Sequence, residues 1–221
     1  PGRVVSAMPL ATTSCHSALN IAFHEVARQS IMADPNWREG KYYGKTPPSP
    51  GLAVARMFGH VTYLSDEAMR LKFGRNLQDR ADLSFDFDME HPDFQVESYL
   101  RYQGKSFVDR FDANAFLYIT KAADYFDLAA QHGEGSLVNA FSKASCRYLV
   151  VSFSSDWLYP TYQSRELVKA MKKNGLSVSF CEIEADFGHD AFLLRNERLF
   201  ELVRNYLSNT LDDVRRGKHA L

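Results

Sequence analysis

The chain has 221 residues, 45% hydrophobic and 24% charged, which suits a globular fold with a real core and excludes wholesale disorder. Lys and Arg number 26 against 27 Asp and Glu, a net charge of −1, so nothing overall draws the chain to nucleic acid or an anionic membrane. No apolar run nears the roughly 20 residues of a membrane-spanning helix.

The chain opens Pro1-Gly2-Arg3-Val4-Val5, directly inside an apolar run and without an initiator Met. It reads as a piece of a longer chain whose N-terminal part precedes Pro1. Residues 4–11 and 148–153 are short continuous apolar runs, as expected of parallel strands covered on both faces. Pro9 marks a bend or an end in the first. Residues 176–183 alternate more and predict a third strand nearer a sheet edge.

About 130 residues between the first two strands read mostly as helix. Residues 17–32 place Leu19, Ala22, Phe23, Val26 and Ala27 on one helical face. Residues 41–51 carry Pro47, Pro48 and Pro50 and predict a loop. Residues 52–73 resume helix, broken near 64–66 with Ser65 as a candidate N-cap. Residues 78–92 are acidic and irregular. Residues 94–126 are helical and rich in Tyr and Phe, with an interruption at Gly104. Beyond the second strand, residues 162–174 form an amphipathic helix stopped at Gly175. A last helix is expected over about 191–211, followed by a polar, frayed tail at 215–221. The order is strand, large helical insertion, strand, helix, strand, helix, which is α/β logic with a parallel sheet.

In open α/β sheets ligands gather at the carboxyl ends of the strands. One such end carries Ser154-Ser155-Asp156-Trp157, where an Asp can orient a histidine or simply cap a turn. Another carries Gly188-His189-Asp190, where His189 can act as general base. The two lie 33 residues apart, one strand-to-strand unit, in the Asp-then-His order of a hydrolase-type triad. The nucleophile would precede them on a G-x-S-x-G elbow. No such pattern occurs in the chain, and the expectation is that it lies before Pro1.

Cys15, Cys146 and Cys181 show no C-x-x-C spacing, which argues against a disulfide framework or cysteine zinc site and fits a reducing cytoplasm. The seven histidines show no metal-ligand spacing, so no metal is expected.

Several segments resemble homoserine O-acetyltransferases. They are Ala55-Arg56-Met57-Phe58-Gly59-His60-Val61-Thr62-Tyr63, Phe94 through Gly104, Arg110-Phe111-Asp112-Ala113-Asn114, Asp124-Tyr125-Phe126-Asp127, Ser155-Asp156-Trp157-Leu158-Tyr159-Pro160 and Gly188-His189-Asp190-Ala191-Phe192-Leu193. The resemblance implies the C-terminal part of an α/β-hydrolase fold, with core over 1–13 and 145–221 and a helical lid over 14–144. It implies Asp156 and His189 as triad acid and base. It implies Arg56, Tyr63 and Asp190 as the residues holding the amino-acid acceptor, Arg56 on its carboxylate and Asp190 on its ammonium. Acetyl-CoA would be a co-substrate, with no further cofactor, and homoserine the acceptor, in methionine biosynthesis. A cytoplasmic homodimer through the lid is also implied. Homoserine O-succinyltransferases and serine O-acyltransferases share much of the pattern and remain alternatives. So do a serine-type hydrolase on the same fold and a non-catalytic helical dimerisation module.

Overall fold

The structure, a computed structural model, describes residues 3–83 and 87–217. The opening Pro1-Gly2, the end of the expected frayed tail (218–221) and three residues of the acidic stretch (84–86) lie outside the described residues. In chain order the elements are β1 (Ser6–Ala7), α1 (Ala18–Met32), α2 (Ser49–Tyr63), α3 (Asp66–Lys72), α4 (Gln95–Val108), α5 (Ala113–Tyr125), α6 (Leu128–His132), α7 (Leu137–Ala140), β2 (Arg147–Phe153), α8 (Thr161–Lys173), β3 (Val178–Ile183) and α9 (Glu197–Arg215). Short 3-10 turns occupy Arg38–Gly40 and Gly188–Phe192.

The chain forms two compact units. One comprises Pro1–His16 with Tyr125–Leu221, the other Ser17–Asp124. The short helices α6 and α7, which the sequence suggested as part of the insertion, fall in the first.

The first unit is a three-stranded parallel sheet in the order β1-β2-β3. β2 is central and its last five residues are buried, as a strand covered on both faces requires. Its side chains alternate between two cores. Leu149, Val151 and Phe153 pack with Ile183 and Leu199 of α9. Val150 packs on the other side with Leu167, Val168 and Met171 of α8 and with Phe141. The expected first strand is mostly lost, because Pro9 has no N–H to give to a ladder. Pairing stops at Ala7, and the chain regains β2 through the Leu10–Val151 bridge and an Ala11 N–H bond to Val151.

The second unit is helical. α1 starts at an N-cap Ser17, whose hydroxyl accepts from the Asn20 N–H. The expected apolar face is only partly the buried one: of its residues, Ala27 is buried. Leu19 and Val26 are 45% and 52% exposed, whereas Asn20, Ala27, Arg28 and Ile31 are buried. Arg28 is admitted to the interior by ion pairs to Asp124 and Glu25, a type of polar partnership that apolar periodicity does not reveal. Ser65 caps α3 as expected, accepting from Ala68 N–H. Gly104 does not interrupt its helix: α4 runs through it, and the break falls after Val108. A Cβ at Gly104 would stand 2.9 Å from the Ala53 carbonyl oxygen. The glycine is there so that α4 can close on α2.

Candidate active site

In the first unit the ends of two adjacent strands bring a carboxylate to an imidazole. β2 and β3 are hydrogen-bonded neighbours, with Phe153 opposite Ile183, so the loops that leave them emerge side by side. Asp156 sits three residues past β2 and is 2% exposed. Its Oδ1 accepts from the N–H groups of Leu158 and Tyr159 at 3.0 and 2.8 Å. Its Oδ2 lies 2.9 Å from His189 Nδ1. A carboxylate so held keeps its orientation and fixes the histidine ring, presenting the other nitrogen, Nε2, for proton transfer.

His189 stands in the 3-10 turn after β3. Tyr159 and Phe192 flank its ring at centroid distances of 4.9 and 5.1 Å. Gly188, just before it, has φ +68°, a left-handed conformation that glycine adopts without a Cβ clash. Two serines fasten the two loops together. Ser155 Oγ accepts from Gly188 N–H at 2.9 Å. Ser154 Oγ accepts from Ala185 N–H at 3.1 Å. The sequence displayed both serines beside Asp156 without revealing this work. The signal available was a pair of short hydroxyls at a strand end facing a glycine-led histidine turn. Tyr159 in turn hydrogen-bonds His16, its hydroxyl 3.2 Å from Nε2.

Of the five expected site residues, Asp156 and His189 are therefore in direct contact. Asp190 follows them in the same turn, half-buried, with its carbonyl accepting from Leu193 N–H. Arg56 and Tyr63 belong to the helical unit, two turns apart along α2. The Arg56 guanidinium carbon lies 5.8 Å from the Tyr63 ring centre and 4.8 Å from that of Phe107. Its Nε is buried without a hydrogen-bond partner.

Between them on α2, His60 is buried and its Nδ1 is 3.0 Å from the Tyr99 hydroxyl. Burial first, and then the positive charges of Arg56, Lys72 and Arg110, push its pKa down to about 4. The imidazole is neutral near pH 7.

No family model matches the chain. It is 69% identical over 214 residues to a homoserine O-acetyltransferase of Solidesulfovibrio magneticus, covering 97% of this chain and 53% of that protein. It is 61% identical over 208 residues to one of Desulfotalea psychrophila, covering 94% and 53%. The chain thus spans about half the length of the curated relatives it matches. Among solved structures, homoserine O-acetyltransferase from Bacillus anthracis superimposes with a TM-score of 0.74 at 24% identity, over 86% of this chain and 50% of that one. Esterase E22 superimposes with a TM-score of 0.79 at 20% identity, over 94% and 55%. At these identities the structural likeness establishes the fold, an α/β hydrolase.

Proposed function

We propose that the chain belongs with the homoserine O-acetyltransferases it is similar to, and that the protein carrying it moves an acetyl group from acetyl-CoA to the hydroxyl of homoserine. The observation that carries this reading is the 2.9 Å contact of His189 with a fully hydrogen-bonded Asp156 at adjacent strand ends. His189 takes the proton of a serine hydroxyl that lies outside this chain. The serine oxygen attacks the thioester carbonyl and the thiolate leaves, taking the proton back from His189. The homoserine hydroxyl then gives its proton to the same imidazole and attacks the acyl-enzyme, and the serine leaves, taking that proton back from His189. Asp156 holds the tautomer and stabilises the imidazolium. Arg56 pairs with the acceptor carboxylate, for which its planar fork is suited. Asp190 takes the acceptor ammonium, and Tyr63 donates a hydrogen bond to the acceptor. No cofactor beyond the co-substrate thioester is required.

Exposed apolar side chains on α1 and α2, among them Leu19, Val26 and Val54, support a homodimer through the helical unit. The cysteine pattern supports a cytoplasmic setting, and no helix among the described residues is long and apolar enough to cross a membrane.

The test follows thiol release by the full-length protein. Release from acetyl-CoA that depends on homoserine supports the transferase. Release that proceeds equally without homoserine marks a hydrolase, an outcome the fold shared with esterase E22 makes worth measuring. Succinyl-CoA offered in parallel identifies the acyl group.

A further inference from the structure

Three cations of the helical unit, Lys72, Arg56 and Arg110, lean on one connected series of aromatic rings instead of on carboxylates. Lys72 Nζ is 4.1 Å from the Tyr99 ring centre. Tyr99 hydrogen-bonds His60, and the His60 ring meets Tyr63 edge-on at 5.8 Å. Arg56 lies over Tyr63 and Phe107, and Arg110 lies 5.4 Å from the same Phe107 ring. The result is one arc with Lys72 at one end, Arg110 at the other and Arg56 between them. None of the three forms an ion pair among the described residues. Arg56 Nε and His60 Nε2 are both buried without a partner.

An ion pair would cancel these charges. A ring face steadies a cation and leaves its charge in place. Three like charges on one arc repel one another, and an anion bearing several negative charges relieves that repulsion. Their depths differ: Arg56 is half-buried, while Lys72 and Arg110 are exposed. The inner cation suits a small carboxylate, and the outer two suit a larger, more highly charged group that stays partly in solvent.

We propose that Lys72 and Arg110, set on either side of Arg56 along this aromatic arc, bind the phosphates at the nucleotide end of the acyl donor. The ligand class is a phosphorylated adenosine nucleotide carried on a thioester arm. The inference rests on the acyl-transfer reading above and adds to it a donor-binding role for two residues it leaves unused. Arg56 stays with the acceptor.

The experiment uses the full-length protein and its Lys72→Gln, Arg110→Gln and doubly substituted variants. Homoserine-dependent thiol release is compared for acetyl-CoA and for S-acetylpantetheine, which has the same thioester arm and no phosphate. The ratio of the two kcat/KM values falls at least tenfold in the double variant, and the salt dependence of KM for acetyl-CoA flattens. Lys72→Arg with Arg110→Lys, which keeps both charges, restores most of the ratio. An equal loss with both donors overturns the proposal. Calorimetric binding of adenosine 3′,5′-bisphosphate gives a readout independent of turnover. Weaker binding to the double variant supports the site even where homoserine proves not to be the acceptor. Unchanged binding overturns it. Inorganic phosphate binding as tightly as the nucleotide marks an unspecific anion site and also overturns the donor assignment.

Discussion

The two units place their charged residues by opposite means. Around Asp156 both carboxylate oxygens are answered. One carboxylate oxygen takes two backbone N–H groups, the other meets His189, and two serines bind the loop that brings the histidine in. Around Arg56 the polar groups are left open: cations rest on rings, and a guanidinium nitrogen and an imidazole nitrogen lack partners. The first arrangement fixes a geometry in advance; under the proposed function, the second steadies a cation for an incoming anion without neutralising it.

Substitutions break this contrast in graded ways. Asp156→Asn in the full-length protein is expected to leave the fold intact and remove the acceptor for the His189 N–H. Turnover is expected to fall by about 10³-fold or more, and a fall of less than about tenfold would remove Asp156 from the mechanism. Gly104→Val forces a branched side chain toward the Ala53 carbonyl. It should cost on the order of 2 kcal/mol, read as a lower midpoint in urea. An unchanged midpoint would mean that α2 and α4 do not need that close approach.

Ser155→Ala removes the bond to Gly188 N–H. It is expected to lower kcat about tenfold, the equivalent of roughly 1.4 kcal/mol, with KM for homoserine little changed. A rise in KM alone would point to substrate binding instead. The smallest effect concerns pH. The fold holds His60 neutral, with a pKa of about 4 against an ordinary 6.5. That stability is fully present above pH 6.5 and drains as pH falls toward 4, because the unfolded chain binds the proton first. His60→Gln should flatten the fall of melting temperature between pH 7 and 5 by a few degrees. Identical slopes would show that other groups set it.

The contact of Asp156 with His189 was legible in the sequence because its signals are local. Asp156 and His189 each follow an apolar strand-like run at a short offset, and the chain order Asp-then-His is itself informative. The sheet was legible for the same reason, apart from the ladder that Pro9 cuts short. The helical unit was harder to read. The buried face of α1 carries Asn20 and Arg28, and their partners Ser17, Glu25 and Asp124 become apparent only once the helices are assembled. Gly104 looks like a helix breaker until α2 is seen lying against it. The resemblance, carried on long collinear motifs, supplied Arg56 and Tyr63, and helical periodicity alone would have left both as ordinary α2 residues. His60 and Arg110 stood inside those motifs, but the rings they meet, Tyr63 of α2 and Tyr99 and Phe107 of α4, are brought into one series only by the packing of the helices.

The parallel ladder from Tyr148–Val178 to Phe153–Ile183 has an evolutionary corollary. Inter-strand spacing sets how far apart Asp156 and His189 can stand, so the intervening crossover helix contributes no length to that separation. The exposed face of α8 can therefore vary without moving Asp156 from His189, provided Leu167, Val168 and Met171 still pack against Val150.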